Sequence, residues 1–120
     1  MVTGPLKVMA TGDRSVAETI VQPAARLDAG AVREFERQLA AASLLGNERV
    51  LVDLSMTSFV TSMALRSLLT AARRLAGQGG RLVVFVTSIE NARLFTASGL
   101  DQVIPVHMTL ADARAALAGR

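Results

Sequence analysis

The chain has 120 residues, of which 51% are hydrophobic, and its 13 basic and 10 acidic side chains give a formal net charge of +3. This length predicts one domain over residues 1–120 with a loose first five residues, and the absence of a signal-peptide pattern or a membrane-length apolar run predicts a cytoplasmic protein. With no cysteine, a single histidine and neither tryptophan nor tyrosine, the composition argues against metal sites, other cofactors and direct nucleic-acid binding.

The first part of the chain predicts two strands followed by a helix. Leu6 to Ala10 is typical of a short strand, and residues 12–14 predict a turn into a second strand at about residues 16–22, so that the two form a hairpin. Asp28 is placed to cap a helix that ends near residues 46–47. The apolar side chains of that helix recur at helical spacing at Val32, Phe35, Leu39 and Ala42.

The middle of the chain predicts a buried strand that leads into an amphipathic helix. Val50, Leu51 and Val52, with Leu54, form a run too continuously apolar for a strand with one wet face, which favours a central strand covered on both sides. The apolar stripe of the following helix is Leu65, Leu68, Leu69, Ala72 and Leu75. A polar turn at residues 58–63 places Thr61 and Ser62 where the chain enters this helix. A hydroxyl there can cap backbone N–H groups that lack helical partners, or carry an anion toward the positive end of the helix dipole.

The last third of the chain predicts two further strands, each followed by a helix. Residues 81–87 are typical of a second buried parallel strand. Thr87 or Ser88 can cap the next helix, with Glu90 completing a capping box with Thr87. Gly99 is expected to end that helix in the left-handed conformation.

The final predicted elements complete a mixed sheet. Residues 102–106 predict a strand, which Pro105 confines to an edge because proline cannot donate to a ladder. Thr109, with Asp112 three residues later, starts a helix to about Leu117. The order β-β-α-β-α-β-α-β-α predicts an α/β domain with about five strands, an amino-terminal hairpin followed by parallel strands, and four helices.

The central stretch resembles the STAS domain, the fold of the anti-sigma factor antagonists. In that family a hydrophobic strand ending in Asp is followed by a short loop with Phe, and then by Asp-Ser-Ser-Gly-Leu or Asp-Ser-Thr-Gly-Leu at the start of a helix. Residues 50–53 resemble the strand, residues 59–60 the loop and residues 61–65 the five-residue motif, in which Ser62 and Leu65 match.

Three other stretches extend the resemblance over nearly the whole chain, from about Leu6 to Leu117. Residues 88–100 are similar to the family's helix ending in Ser-Gly-Leu, and residues 81–86 to the strand before it. Residues 25–28, Ala-Arg-Leu-Asp, resemble the family's Gly-Glu-Leu-Asp or Gly-Arg-Leu-Asp loop. The four pieces occur in the family's order and at its spacing, which implies a STAS-like fold.

The resemblance implies a role for Ser62. In anti-sigma factor antagonists the Ser after the motif's Asp is the phosphate acceptor for a serine kinase that is also the anti-sigma factor. A phosphate would add nearly two negative charges at a helix amino terminus, where the dipole tolerates them, and would alter a docking surface. The alternative is that Ser62 only caps the helix. Thr61 lacks the carboxylate of the family's Asp; it is a secondary candidate acceptor, or an ordinary loop hydroxyl.

Partner contacts are expected on the same loop and helix. Asp28 and Asp53 offer carboxylates; the alternatives are a helix cap for Asp28 and a turn cap bonded to Ser55 or nearby amides for Asp53. Met56 and Met63 could form an adaptable docking patch with the apolar residues between them, or pack in the core. The predicted contact residues are Asp28, Asp53, Phe59, Val60, Thr61, Met63, Leu65 and Arg66.

The function implied by the resemblance is regulatory binding, not catalysis. The chain would bind an anti-sigma factor serine kinase, be switched by phosphorylation, with a phosphatase as a further partner, and thereby control sigma-factor-dependent transcription. The alternative is a STAS domain that acts as a phosphorylation-independent scaffold or small subunit of a transport or signalling complex. No nucleophile elbow, P-loop or dinucleotide-binding motif is present. A response-regulator receiver is disfavoured because the acidic pair and the later lysine of that fold are missing.

Overall fold

The computed structural model describes residues 6–10, 17–44 and 49–119, and it has the α/β architecture predicted above. Seven strands lie in this part of the chain: β1 (Leu6–Ala10), β2 (Ala17–Val21), β3 (Arg26–Leu27), β4 (Arg49–Asp53), β5 (Phe59–Val60), β6 (Arg81–Phe85) and β7 (Val106–His107). The helices of the same ranges are α1 (Ala29–Leu44), α2 (Ser62–Gly77), α3 (Ile89–Ser98) and α4 (Leu110–Leu117). Three predicted features lie outside the described residues: the turn at residues 12–14, the helix end at 46–47 and the loose first five residues.

A five-stranded sheet in the order β1-β2-β4-β6-β7 forms the centre of the domain. β1 pairs antiparallel with β2, Leu6 opposite Val21, and the other neighbouring strands are parallel, so the predicted mixed sheet is confirmed. β4 lies in the middle of the sheet. Successive side chains of a strand point to opposite faces, and Leu51 and Val52 are nevertheless both 0% exposed. Burying each such side chain contributes roughly 1.5–3 kcal/mol, which explains why the three central residues of this strand, Val50 to Val52, are all apolar.

Helices cover both faces of this sheet. α1, α2 and α3 pack on one face, where Phe35, Leu68 and Phe95 are among the largest residues of the main core. α4 covers the other face, with a smaller cluster made of Leu51, Val83, Ala113 and Leu117. Among the side chains that the structure describes, more of the buried core therefore lies on the face covered by α1, α2 and α3.

A second, two-stranded sheet joins the segments that precede α1 and α2. β3 and β5 pair in parallel, with Arg26 opposite Phe59 and Leu27 opposite Val60. Two-residue strands are too short to produce a recognisable alternation in sequence, and these were not predicted. Their pairing brings the amino ends of α1 and α2 to one edge of the domain.

The helix ends follow the predicted cap chemistry with one exception. Gly99 ends α3 with φ 79°, the left-handed conformation expected, and Thr109 caps α4. At the start of α3 the cap is Ser88, whose Oγ accepts a hydrogen bond from Asn91 N at 3.1 Å. The capping box of Thr87 with Glu90 is not formed, because the Thr87 hydroxyl donates to the Ser55 carbonyl instead.

The last strand is shorter than predicted. Leu100–Gln102 forms a turn of 3-10 helix, and β7 contains only Val106 and His107. Its predicted edge position is confirmed, since β7 pairs with β6 alone among the described strands. The Pro105 carbonyl still accepts a hydrogen bond from Val84 N at 2.9 Å, a bond that needs no proline N–H.

Candidate functional site

The loop after β4 begins with a carboxylate that organises the turn. Asp53 Oδ1 accepts a hydrogen bond from Ser55 N at 2.9 Å, and its Oδ2 lies 3.4 Å from the Gln22 amide nitrogen. This is the turn cap that was one of the two predictions for Asp53. The partly buried carboxylate is thus committed to holding the loop at the carboxyl end of β4.

The rest of the loop is fastened to the segment before β3 and to α3. Thr57 Oγ1 donates to the Ala24 carbonyl at 3.1 Å, and Ser58 N donates to the Ala25 carbonyl at 2.8 Å. The side-chain nitrogen Nδ2 of Asn91 donates to the Thr57 carbonyl at 2.8 Å, and Asn91 is only 4% exposed. The sequence did not single out Thr57 or Asn91, because their partners lie more than 30 residues away along the chain.

Thr61, not Ser62, caps α2. Its backbone is extended (φ −93°, ψ 166°), and its Oγ1 accepts a hydrogen bond from Ala64 N at 3.3 Å. The same hydroxyl donates to the Leu27 carbonyl at 2.8 Å, which ties the start of α2 to β3. The prediction that Ser62 only caps the helix is therefore wrong, because the neighbouring hydroxyl fills that role.

Ser62 is the first residue of α2 and its side chain is exposed. Backbone N–H groups of the first turn give this position a partial positive charge, which stabilises a nearby anion by typically 0.3–1 kcal/mol. No acidic residue lies in the first turn of α2 to oppose an added negative charge. The arrangement leaves a primary hydroxyl open to solvent at a place that tolerates a phosphate.

Exposed cationic and apolar side chains lie around this hydroxyl. The Phe59 ring is 40% exposed, and the Arg26 guanidinium carbon lies 4.5 Å from its centroid, a cation–π contact between paired strand residues. Met63 is 53% exposed and Arg66, one turn after Ser62, is also exposed. We call the set Arg26, Phe59, Ser62, Met63 and Arg66 the α2 amino-end surface. Met56, predicted to join a docking patch with Met63, is 69% exposed but lines a separate pocket with Ser88 and Glu90.

Two predicted contact residues point inward instead. Val60 is 8% exposed and Leu65 is 7% exposed, and both belong to the main core. Val60 alternates with exposed Phe59 along β5, and Leu65 lies on the apolar stripe of α2 next to Leu68. They position the α2 amino-end surface from beneath and do not lie on it.

Asp28 caps α1 at the edge of the same region. Its Oδ1 accepts hydrogen bonds from Gly30 N and Ala31 N, both at 3.1 Å, which is the cap predicted as its alternative role. The paired register of Leu27 with Val60 brings Asp28 and Thr61 to the same end of the small sheet. Two capped helix amino ends thus lie side by side.

Residues 6–10, 17–44 and 49–119 contain no cluster of three or more acidic, histidine or cysteine side chains able to hold a metal ion. Within the same part of the chain, every helix is too short or too polar to cross a membrane.

Comparisons with known proteins agree on one fold. The family model described as the STAS domain matches residues 7–113. No curated protein sequence is significantly similar to the chain. A crystal structure of an anti-sigma factor antagonist from Mycobacterium paratuberculosis is 22% identical, with a TM-score of 0.75 over 98% of this chain and 99% of that one.

Two further solved structures share the fold at low identity. The Bacillus cell fate determinant SpoIIAA in its phosphorylated form is 21% identical, with a TM-score of 0.63 over 90% of this chain and 95% of that one. The murine anion transporter Slc26a9 in its inward-facing state is 15% identical, with a TM-score of 0.73; the likeness covers 98% of this chain but 22% of the transporter. Because the family model spans most of its length, the chain belongs to the STAS domain family.

Proposed function

We propose that this protein is a non-catalytic regulatory module of the anti-sigma factor antagonist type, acting in the cytoplasm. Its α2 amino-end surface binds an anti-sigma factor that is also a serine kinase, and phosphorylation of Ser62 ends that binding, so that sigma-factor-dependent transcription responds to the modification. The observation that carries the proposal is the exposed Ser62 hydroxyl at the first position of α2, with the helix cap supplied by Thr61.

The division between the two hydroxyls explains how the site functions without the family's Asp. Thr61 satisfies Ala64 N and the Leu27 carbonyl, so the start of α2 is held in place by a neutral side chain. Asp28 and Asp53, the carboxylates flanking this edge, are engaged by backbone N–H groups. Ser62 is therefore the hydroxyl of this pair that a kinase can use without releasing the helix cap.

A phosphate on Ser62 would change the surface and leave the core intact. It would place about 1.5–2 negative charges in the first turn of α2, where the helix dipole is favourable. Arg66 lies four residues later on the same face, within reach of a side-chain pair. The modification would thus neutralise a cation and add bulk beside Met63, which is enough to weaken docking of a partner.

Two relatives support this proposal. SpoIIAA of Bacillus has been solved in a phosphorylated form, so a protein with this fold carries the modification. The Mycobacterium paratuberculosis protein, which the chain covers almost fully, is described as an anti-sigma factor antagonist.

The proposal is tested with the isolated partner and ATP. Partners are purified from source cells on the tagged chain, and intact-mass spectrometry then follows each variant during incubation with them. Wild type and the control Ser58→Ala, which removes another exposed hydroxyl of the same loop, should each gain one phosphate, whereas Ser62→Ala should gain none. Ser62→Asp should bind the partner at least about tenfold more weakly than wild type. No phosphate on the wild-type chain at any partner ratio would overturn the switch.

A phosphorylation-independent scaffold is the second candidate. The likeness to a domain-sized part of the Slc26a9 anion transporter favours it, because that protein uses the same fold within a transport assembly. In this case Ser62→Ala would bind its partner as wild type does, with no effect of ATP. Recovery of a histidine-kinase-like ATPase on the tagged chain supports the first function, and recovery of a transporter subunit supports the second.

A further inference from the structure

The exposed face of α2 is cationic along its whole length. Arg66, Arg73 and Arg74 are all exposed, and residues 62–77 contain no acidic side chain. Positions 66 and 73 are seven residues apart, about two turns, and therefore share one face of the helix. Ser62 begins the same face one turn before Arg66.

A groove lies between this face and α1. It is a cavity of about 330 Å³ whose apolar side is formed by Leu39 and Ala40 of α1 and Ala71 of α2. Arg66 and Arg74 line it from α2, about 12 Å apart along the helix axis at 1.5 Å per residue. Small residues keep the groove shallow, so side chains of moderate size would fill it.

One carboxylate lines the groove and is already engaged. Glu36 Oε2 accepts a hydrogen bond from the Ser67 hydroxyl at 2.8 Å, and Ser67 is 7% exposed. In the part of the chain that the structure describes, Arg66 and Arg74 form neither a hydrogen bond nor an ion pair with another side chain. The lining therefore carries two positive charges, at Arg66 and Arg74, against the one negative charge of Glu36, beside an apolar floor.

We infer that this groove binds an acidic amphipathic helix of the partner protein. A helix laid between two helices presents residues three, four, seven and eight positions apart, and carboxylates eight positions apart would meet Arg66 and Arg74. Small apolar residues between those carboxylates would contact Ala71 and Leu39. The inference rests on the proposed function and adds the chemistry of the docking segment. An acidic partner helix would also give the Ser62 phosphate a second effect. The phosphate would repel the carboxylate that lies at the Arg66 end of the groove.

Charge reversal with a matched control tests the inference. Arg66→Glu/Arg74→Glu reverses the groove, and Arg33→Glu/Arg93→Glu makes the same change in net charge at exposed positions outside its lining. The groove variant should lose at least about tenfold in affinity for the purified partner, and the control less than about twofold. Circular dichroism melting confirms that both fold. If the groove variant does not, Arg66→Gln/Arg74→Gln replaces it and should lose at least about threefold in affinity. Equal losses in the groove and control variants would overturn the inference.

Photo-cross-linking identifies the bound segment. Thr70 is exposed and lines the groove, so p-benzoylphenylalanine placed there should cross-link to the occupant in source cells. Mass spectrometry should identify a peptide with at least two carboxylates spaced two helical turns apart, and reversing those carboxylates to Arg should restore binding to Arg66→Glu/Arg74→Glu. A basic or neutral peptide, a second copy of this chain, a nucleic acid, or no product overturns the inference.

The two proposals fail in different ways. If Ser62 is never phosphorylated but the groove variant still loses the partner, the switch is wrong and the acidic helix stands. If phosphorylation of Ser62 releases the partner but the Thr70 cross-link yields no acidic segment, the switch stands and the acidic helix is wrong.

Discussion

Two neighbouring hydroxyls at the start of α2 have different structural roles. Thr61 is partly buried and makes two hydrogen bonds, one within the first turn of α2 and one to β3. Ser62 lies one residue further, at the first position of α2, and its side chain is exposed to solvent. Thr61 has the extended backbone of a helix cap, whereas Ser62 is already helical. Substituting the two residues should therefore change the free energy of unfolding by different amounts.

We expect Thr61→Ala to lower the free energy of unfolding by about 1–2 kcal/mol, since it removes a cap and an additional bond to the Leu27 carbonyl. Ser62→Ala should change it by less than about 0.5 kcal/mol. Urea unfolding followed by circular dichroism measures both, because the chain has no tryptophan or tyrosine for fluorescence. Equal losses would mean that Ser62 contributes to the cap.

Glu90, in the first turn of α3, gives a pH-dependent test of the local geometry. Its pKa is lowered from the usual 4.5, first by a backbone hydrogen bond at Glu90 and next by the Ser88 hydroxyl. Because folding lowers this pKa, the associated stability is present above the unfolded value and is lost as the pH falls through the folded value.

Ser88→Ala should raise the pKa of Glu90 toward 4.5, since one of its hydrogen bonds is removed. Thr87→Ala is the control, because that hydroxyl bonds to Ser55 and should leave the pKa of Glu90 unchanged. NMR titration of the Glu90 carboxyl carbon measures the difference. The same value in both variants would contradict the assigned cause.

Polar contacts add to the apolar packing that holds α4 to the sheet. Its apolar cluster is small, but Arg49 Nε donates to the Leu117 carbonyl and Arg81 Nη1 to the Ala116 carbonyl, both at 2.8 Å. These cations lie at the carboxyl end of the helix, where the dipole favours them. A third arginine of this face, Arg114, pairs with Glu18 of β2 at 3.0 Å.

The Glu18 contact should be costly to break. The Glu18 side chain is 3% exposed and that of Arg114 31%, and the contact is an ion pair without the alignment of a hydrogen bond. Arg114→Ala leaves a buried charge unpaired, and we expect a loss of about 2–3 kcal/mol, below the value for a fully buried pair because Arg114 is partly exposed.

Replacing both members with apolar residues separates charge from packing. Glu18→Leu/Arg114→Met should recover most of the stability lost in Arg114→Ala, because no buried charge remains. Thermal unfolding of the three variants measures this. If the double variant is no more stable than Arg114→Ala, the loss arises from packing of α4 and not from the unpaired carboxylate.

At the scale of the whole molecule, the two packed faces of the five-stranded sheet share its central strand, β4. β4 contributes to the main core through Val52 and to the smaller cluster through Leu51, so neither face can open without exposing the central strand. The exposed side chains of the α2 amino-end surface lie outside the two apolar clusters, so substitutions there should leave the packing of the core unchanged.

Leu68→Ala should lower the free energy of unfolding by about 2–5 kcal/mol, because the Leu68 side chain of α2 is fully buried in the main core. Met63→Ala, on the exposed face of the same helix, should change it by less than about 0.5 kcal/mol. In each case circular dichroism and NMR signals of α4 should report a single shared transition. A separate transition for α4 would show that the two faces unfold independently.

Local patterns in the sequence were sufficient for most of the secondary structure. Apolar periodicity predicted the helices and the buried strands, and Asp28, Gly99 and Thr109 marked helix ends because cap chemistry involves residues only a few positions apart. The strand predicted at residues 102–106 was mostly wrong, since a short apolar run does not distinguish a strand from a 3-10 turn.

By itself, the sequence determined the βα order, the central position of β4 and the arrival of two hydroxyls at the start of α2. Only the tertiary structure decided which hydroxyl caps the helix, because the Thr61 choice depends on a carbonyl 34 residues away in β3. It also decided that Val60 and Leu65 are buried and that α1 lies beside the arginines of α2. Periodicity and capping act over one or two helical turns, whereas burial and long-range hydrogen bonds require the chain to be folded.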